Sequence, residues 1–175
     1  MKTLLTEQQL SAGIHRLAGE IEAHYRGKPL TIIGVFIGSV VALADLIRLL
    51  NIPLQVEMIQ ARRNHGSTRP GPLAIDIDLL AGSVRGRHVL LVDDVFHTGH
   101  TLWDLIPQLD ELGAASVHTA VLLLKQGCCE VPLKPDFVGF EIPNQFVVGY
   151  GLDYNDQYRN LPVVAALEPQ EMKST

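Results

Sequence analysis

The stretch VLLVDDVFHTGHTL, residues 89–102, joins an apolar run to two adjacent acids and a short turn rich in small polar residues. A continuous apolar run with β-branched residues is typical of a strand that is covered on both faces, as in a parallel sheet. The Thr98–Gly99 turn then precedes a segment with the period of an amphipathic helix. The stretch therefore predicts a strand, a turn and a helix, with Asp93 and Asp94 near the carboxyl end of the strand.

Composition limits what kind of protein carries this stretch. The 175 residues are 47% hydrophobic and 19% charged, which indicates one globular domain over residues 1–175. The net charge of −5 argues against general binding of nucleic acid. No apolar stretch approaches the length that spans a bilayer, and the first ten residues do not resemble a signal peptide. The adjacent pair Cys128 and Cys129 is a poor structural disulfide, so we expect reduced thiols and a cytoplasmic protein.

Strand and helix periods alternate along the rest of the chain. Thr6 and Gln9 resemble a capping box that opens a first helix, and residues 40–50 have a second helical period. The loop 61–72 carries two Pro, two Gly and three Arg, and we predict that it is a mobile lid in a hairpin. The remaining strands are predicted at residues 30–37, 54–60, 73–79, 116–124, 137–140, 146–150 and 163–167. The pattern predicts an α/β fold with a mainly parallel twisted sheet flanked by helices.

The carboxyl ends of such strands form the ligand-binding edge of the sheet, which is where Asp93 and Asp94 lie. Backbone N–H groups of the turn and the hydroxyls of Thr98 and Thr101 converge at a helix start that favours an anion, and Gly99 allows close approach. One of the acids could instead cap that helix. The pattern predicts a phosphate cradle beside a carboxylate pair that can hold sugar hydroxyls or a hydrated divalent cation. The sequence has neither a Walker A loop nor a G-x-G-x-x-G motif.

Stretch 89–102 resembles the phosphoribosyl-pyrophosphate signature of the type I phosphoribosyltransferases. The segment PDFVGFEIPNQFVVGYGLDYNDQYRNLP, residues 135–162, is similar to the hypoxanthine–guanine phosphoribosyltransferases in particular, and the likeness extends to residues 34–48 and to LLLK ending at Lys125. The resemblance implies a core over about residues 30–125 and a small hood built from the N-terminus and residues 126–167.

The activity implied by the resemblance is purine salvage. Such an enzyme transfers the 5-phosphoribosyl group from phosphoribosyl pyrophosphate to N9 of a 6-oxopurine, giving IMP or GMP and pyrophosphate. The resemblance also implies Mg²⁺ as cofactor and a homodimer or homotetramer. The sequence leaves open whether hypoxanthine, guanine or xanthine is preferred.

Roles for the sugar-phosphate residues follow from the same resemblance. Asp93 and Asp94 contact the ribose hydroxyls, and Asp94 belongs to the catalytic set. The segment His97–Thr101 wraps the 5-phosphate through Thr98, Gly99, His100 and Thr101. Gly38 is the glycine of the first loop, which faces the pyrophosphate.

The purine and leaving-group roles fall near the C-terminus. The resemblance implies that Lys125 donates to O6 of the purine, that Phe146 stacks on the ring and that the Val147 backbone reads its edge. Asp153 helps to bind magnesium on the pyrophosphate. Arg159 neutralises that leaving group with its planar fork of donors.

Three positions depart from the family pattern. His97 stands where the family has the aspartate that accepts the proton of purine N7, and we expect the imidazole to act as the base instead. Ile37 replaces a basic residue before the glycine of the first loop. The Ser-Tyr pair of the family's lid is absent, and Arg62, Arg63 and Asn64 lie in its place.

These departures support an alternative, a catalytically weak regulator that senses nucleotides or binds RNA. The pyrimidine-operon attenuators share this fold and a similar motif with an aromatic residue in place of the base. The purine segment near the C-terminus favours the enzyme, whereas a continuous basic face would favour the regulator.

Overall fold

The computed structural model describes residues 1–60, 77–168 and 170–173. Its strands are β1 Lys2–Leu5, β2 Leu30–Val35, β3 Leu54–Ile59, β4 His88–Phe96, β5 Ser116–Lys125, β6 Phe137–Ile142, β7 Val147–Val148 and β8 Val164–Ala166. Its helices are α1 Glu7–Tyr25, α2 Val40–Ile47, α3 Ala81–Val84 and α4 His100–Glu111, with 3-10 turns at Ile37–Ser39, Ile77–Leu80 and Glu171–Lys173. The strands alternate with helices, as the sequence predicts. No helix within these ranges is both long enough and apolar enough to cross a membrane.

Five strands form a parallel sheet in the order β3-β2-β4-β5-β6. After β2 the chain moves outward to β3, and after β4 it moves in the opposite direction to β5. The loops that follow β2 and β4 therefore diverge from neighbouring strand ends. This divergence opens a crevice at the carboxyl edge of the sheet, the usual ligand site of open α/β folds.

Successive side chains of the central strands point to opposite faces of the sheet, so each face needs its own cover. Leu90 packs with buried residues of α1 and α2 on one face, and Leu91 packs with α3 and α4 on the other. This two-sided burial explains the continuous apolar runs of β2 and β4, and the predicted α/β class is confirmed.

The start of α1 follows the predicted capping box. Thr6 Oγ1 accepts from the backbone N–H of Gln9 at 3.3 Å, and Gln9 Oε1 accepts from the backbone N–H of Thr6 at 2.9 Å. Two otherwise unpaired helix donors are thereby satisfied. Leu10 and Ile14 then lie on the buried face of the helix.

A second, antiparallel sheet in the order β1-β8-β7 forms the small hood. The predicted strand 146–150 shortens to β7 because Gly149, Tyr150 and Gly151 all have positive φ and turn the chain. β1 pairs its extended backbone with β8, although the sequence pattern did not indicate a strand there. The sheet joins the N-terminus to the C-terminal part of the chain.

The predicted lid 61–72 lies outside the described residues, as do residues 73–76 of the strand predicted at 73–79. The end of that strand prediction is wrong, because residues 77–79 belong to the 3-10 turn Ile77–Leu80. Ile77, Leu80 and Val84 all pack into the core on the α4 side. Their spacing of three and four residues matches a helical period rather than the two-residue alternation of a strand.

Candidate active site

The carboxylate pair lies within β4 rather than after it, because the strand continues to Phe96. Asp93 is 5% exposed, and its Oδ1 accepts from the backbone N–H of Asp94 at 2.9 Å. Oδ1 of Asp94 accepts from the backbone N–H of Val95 at 2.7 Å. The parallel neighbours β2 and β5 hold this part of the strand, so the position of the pair is fixed by the sheet.

Burial raises the pKa of Asp93 well above its usual range, and the neighbouring Asp94 carboxylate raises it further. Burial also raises the pKa of Asp94, while hydrogen bonds from its surroundings and the positive charge of Arg159 partly oppose that shift. The ionised pair is therefore poorly solvated. Hydroxyl donors or positive charge placed beside it would stabilise it.

The segment His97–Thr101 forms the predicted turn into α4 and is called the phosphate loop below. Gly99 adopts a left-handed conformation with φ 85°, and a Cβ atom there would lie 2.6 Å from the ring of Phe96. Both observations explain glycine at this position. A recess of about 70 Å³ is lined by residues that include Asp93, His97, Thr98, Gly99 and Thr101. The structure thus brings the predicted phosphate residues together beside a carboxylate.

His97 is the first residue of this loop and contributes to the lining of its recess. Its side chain is exposed, and it makes no hydrogen bond or ion pair with any residue of the described ranges. The ring nitrogens are therefore available to a ligand in the crevice.

Gly38 brings the loop after β2 against the carboxylate pair. A Cβ atom at Gly38 would overlap Oδ2 of Asp94 and lie 2.8 Å from its Cγ. Phe36, two residues earlier, has φ 60° and ψ 164°, a region that side-chain-bearing residues rarely adopt. Its carbonyl accepts from the Ser39 hydroxyl at 2.9 Å, which helps to hold the turn. Ile37 is 51% exposed beside it.

The hood reaches the same point through Gly151. A Cβ atom at Gly151 would overlap the carbonyl oxygen of Gly38, and Gly151 has φ 99°. Tyr150 anchors this turn, since its hydroxyl donates to Oδ2 of Asp45 in α2 at 2.6 Å. Three segments distant in sequence therefore meet around Gly38, which contacts Asp94 of strand β4 on one side and Gly151 of the hood on the other.

Arg159 and Asp153 form the charged part of the hood. Arg159 Nη2 lies 2.8 Å from Asp153 Oδ1, and Nη1 donates to the Gly151 carbonyl at 2.9 Å. Oδ2 of Asp153 accepts from the backbone N–H of Asp156 at 2.9 Å. The guanidinium is held in one orientation, 29% exposed, close enough to act on Asp94.

A metal ion could use only part of this cluster. Within the described ranges no group of three or more His, Cys, Asp or Glu side chains could hold a metal. Mg²⁺ commonly takes one or two carboxylates and completes its shell with water and substrate phosphate oxygens. Asp153 offers a single carboxylate of this kind, and because its Oδ1 already pairs with Arg159 and its Oδ2 accepts from Asp156, an ion there would share these oxygens and take its other ligands from the substrate and water.

The predicted purine residues lie on two different sheets. Lys125 ends β5, is half-buried, and its pKa is lowered by burial. Phe146 is 42% exposed and its ring meets Tyr154 edge to face at 5.4 Å, while Val147 is buried in β7. No hydrogen bond or ring contact joins Lys125 to Phe146 in the described part of the chain. An exposed aromatic ring directly before a buried strand suits a stacking platform.

Sequence reasoning missed two supports of the site. Glu130 lies against the phosphate loop, and its Oε2 is 2.9 Å from Nε2 of His100. Asp45 supports the Tyr150 turn across 105 positions of sequence. The Gly-Tyr-Gly run at 149–151 could have indicated a special turn, whereas no local pattern pairs Glu130 with His100 or Asp45 with Tyr150.

The sequence and the fold were compared with known proteins. The phosphoribosyl transferase domain model matches residues 1–155. Hypoxanthine-guanine phosphoribosyltransferase of Lactococcus lactis is 38% identical over 172 residues, 97% of this chain and 92% of that protein. The protein of that name from Streptococcus pneumoniae R6 is 35% identical over 170 residues, 97% and 94% of the two chains. The crystal structure of a hypoxanthine phosphoribosyltransferase from Staphylococcus aureus superimposes with a TM-score of 0.88 at 30% identity, covering 97% and 92% of the two chains.

Proposed function

Because this chain belongs to the phosphoribosyl transferase domain family, we propose that it is a purine-salvage enzyme that joins the phosphoribosyl group of phosphoribosyl pyrophosphate to N9 of hypoxanthine or guanine. The products are IMP or GMP and pyrophosphate. The observation that carries the proposal is the Asp93–Asp94 pair, in which Asp93 is buried and lines the recess of the phosphate loop and Asp94 is partly buried. These groups match the two halves of a phosphorylated sugar.

The phosphate loop and the carboxylate pair each bind one part of the sugar phosphate. The phosphate loop offers the N-terminal N–H groups of α4 and the hydroxyls of Thr98 and Thr101 to the 5-phosphate. Asp93 and Asp94 accept hydrogen bonds from the ribose hydroxyls. Those hydroxyls supply donors to a carboxylate pair that burial leaves poorly solvated.

The same pair stabilises the transition state. As pyrophosphate leaves C1, positive charge develops on the ribose, and the carboxylates of Asp93 and Asp94, which contact the ribose in this proposal, would stabilise that charge. Arg159 stabilises the negative charge of the leaving group with a guanidinium that Gly151 and Asp153 already orient. Gly38 lets the loop after β2 lie close to the same atoms.

We propose Mg²⁺ as the cofactor, held by Asp153 and by oxygens of the pyrophosphate. When bound, the ion would neutralise part of the leaving-group charge. Asp153→Asn should shift the magnesium concentration at half-maximal rate, because one of the oxygens that binds the ion loses its charge. A magnesium titration superimposable on that of the wild type would remove Asp153 from the metal site.

The proposed purine site combines an aromatic ring for stacking with one hydrogen-bond donor. Phe146 presents an exposed ring for stacking, and the Val147 backbone would read the purine edge. The ammonium of Lys125 donates to O6. Adenine should be rejected, because its 6-amino group does not accept the hydrogen bond that a cation offers.

His97 takes the place of the family's aspartate in this proposal. A neutral imidazole accepts the purine proton as a carboxylate does, and the exposed ring has no described partner that would compete. This substitution distinguishes the chain from the family pattern and makes His97 the residue whose variants report most directly on proton transfer.

We further propose a cytoplasmic homo-oligomer, a dimer or a tetramer. The thiols of Cys128 and Cys129 are free, as expected in a reducing compartment. Exposed apolar side chains are available to a second copy near α2 and on the edge strand β3, where Val40, Val56 and Met58 are 40–44% exposed. Analytical ultracentrifugation tests the oligomeric state directly.

The central test is pyrophosphate release from phosphoribosyl pyrophosphate and magnesium with hypoxanthine, guanine, xanthine or adenine. Release is expected with the oxopurines and not with adenine, and Lys125→Met should weaken that discrimination. Absence of release with every oxopurine would reject the enzyme. The similar proteins of Lactococcus lactis and Streptococcus pneumoniae are named as phosphoribosyltransferases, which favours the enzyme over the alternative of an RNA-binding regulator. Salt-dependent RNA binding at physiological ionic strength would reverse that ranking.

A further inference from the structure

The loop 126–136 that follows β5 packs directly on the phosphate loop. The backbone N–H of Glu130 donates to the Thr98 carbonyl at 3.0 Å, and the Glu130 carboxylate lies 2.9 Å from Nε2 of His100. A Cβ atom at Gly99 would lie 2.7 Å from Cγ2 of Val131. Three consecutive residues of the phosphate loop are thus in close contact with the short segment Glu130–Val131.

The backbone contact orients one peptide group of the loop. In a planar trans peptide the carbonyl and the following N–H point in opposite directions. Because the Thr98 carbonyl points to Glu130, the N–H of Gly99 points away from the 126–136 loop. That donor is then one that can face an anion bound in the recess.

The side-chain contact orients the first residue of α4. The contact between Nε2 and Glu130 holds the His100 ring in place. The other ring nitrogen, Nδ1, takes no part in this contact. His100 is 36% exposed and Glu130 63%, so this pair contributes little to overall stability and its effect is on ring position.

We propose that Glu130 is a positioning residue for the 5-phosphate site: its side chain acts through His100, while its backbone N–H, which side-chain substitutions leave in place, holds the Thr98 peptide. The inference deepens the proposed function and rests on it. The loop 126–136 would then support the phosphate site, while Lys125, the last residue of β5 directly before it, contacts the purine. Loss of the Glu130 side chain should therefore weaken binding of phosphoribosyl pyrophosphate and spare that of the purine.

The experiment measures kcat and the separate KM values for phosphoribosyl pyrophosphate and hypoxanthine in five proteins and one control variant. These are the wild type, Glu130→Ala, Glu130→Gln, His100→Ala and the double variant Glu130→Ala/His100→Ala. Glu20→Ala is the matched control, because Glu20 forms an exposed ion pair with Arg16, also at 2.9 Å, on the remote helix α1. Melting temperatures confirm that each variant is folded.

Glu130→Ala should raise KM for phosphoribosyl pyrophosphate about fivefold, with kcat and KM for hypoxanthine changed less than about twofold. Glu130→Gln should stay within about twofold of the wild type, because its amide oxygen accepts the same hydrogen bond. The double variant should match His100→Ala, because residues that act through one contact are not additive.

The inference is overturned if Glu130→Ala leaves KM for phosphoribosyl pyrophosphate unchanged, if it impairs both substrates equally, or if the two single effects multiply. Calorimetric titration of each protein with phosphoribosyl pyrophosphate separates this result from failure of the proposed function. If the wild type binds phosphoribosyl pyrophosphate but does not turn over, the proposed enzymatic activity is rejected. The role of Glu130 is still tested in that case, because Glu130→Ala must weaken the measured affinity for phosphoribosyl pyrophosphate.

Discussion

Gly38→Ala tests whether the close approach of the loop after β2 to Asp94 matters for activity. The added Cβ would overlap Oδ2 of Asp94 and lie 2.8 Å from its Cγ. The group that it meets is the end of a side chain, which can rotate away. Gly38 is not in the left-handed region, so the change adds no backbone penalty.

Folding stability should therefore fall only modestly, by about 1–2 kcal/mol, at the low end of the range for overpacking. For a chain of this length that corresponds to a melting temperature lower by roughly 2–8 °C. We expect kcat/KM to be affected more strongly than folding stability. A displaced Asp94 loses a charged hydrogen bond to the ribose of about 1.5–3 kcal/mol, which lowers kcat/KM for phosphoribosyl pyrophosphate by roughly 10- to 100-fold.

Two further glycines serve as controls. Gly19 lies in α1 with nothing within 4 Å of an added Cβ, so Gly19→Ala should stabilise the fold by about 0.5–1 kcal/mol and leave kcat/KM unchanged. Gly151→Ala should be the most destabilising, because its Cβ meets the backbone carbonyl of Gly38 and its φ is 99°.

The measurements are thermal unfolding by circular dichroism and steady-state kinetics of pyrophosphate release. A Gly38→Ala protein with the kcat/KM of the wild type would refute the placement of Asp94 at the ribose. A loss of stability as large as that of Gly151→Ala would show that the Asp94 carboxylate cannot move aside.

Asp93→Asn should raise the melting temperature near pH 7 by about 2–6 °C while lowering activity. Because burial raises the pKa of Asp93 in the folded state above its unfolded value, the ionised carboxylate destabilises the fold fully above the folded-state pKa. The gain should shrink as the pH falls below that pKa and vanish only below the unfolded pKa of about 4; a gain independent of pH in calorimetry would contradict this. Phe146→Ala should weaken nucleotide binding by about 1–3 kcal/mol and spare phosphoribosyl pyrophosphate, whereas equal losses in calorimetric titrations would place Phe146 outside the purine site. His97→Asp, which introduces a carboxylate that is ionised at neutral pH, should speed turnover near pH 7, and a His97→Ala protein with the rate and pH profile of the wild type would make the histidine a bystander.

The sequence by itself determined the features that depend on near neighbours in the chain. The alternation of periods predicted an α/β fold, and the Thr6–Gln9 spacing predicted the start of α1, because a capping box involves residues only three positions apart. The run 89–102 placed Asp93 and Asp94 beside a phosphate loop for the same reason, since strand, turn and helix follow each other directly. The local pattern misplaced residues 77–79, where a helical period governs the packing.

Only the tertiary structure decided which distant segments complete the site. The contacts of Gly38 with Asp94 and Gly151, and of Glu130 with His100, join residues that no local period relates. The raised pKa of Asp93 likewise depends on burial by the sheet and on the Asp94 charge, not on residue type alone. Burial and close approach are set by how whole elements pack, and that packing follows from the strand order β3-β2-β4-β5-β6, which the sequence pattern does not specify.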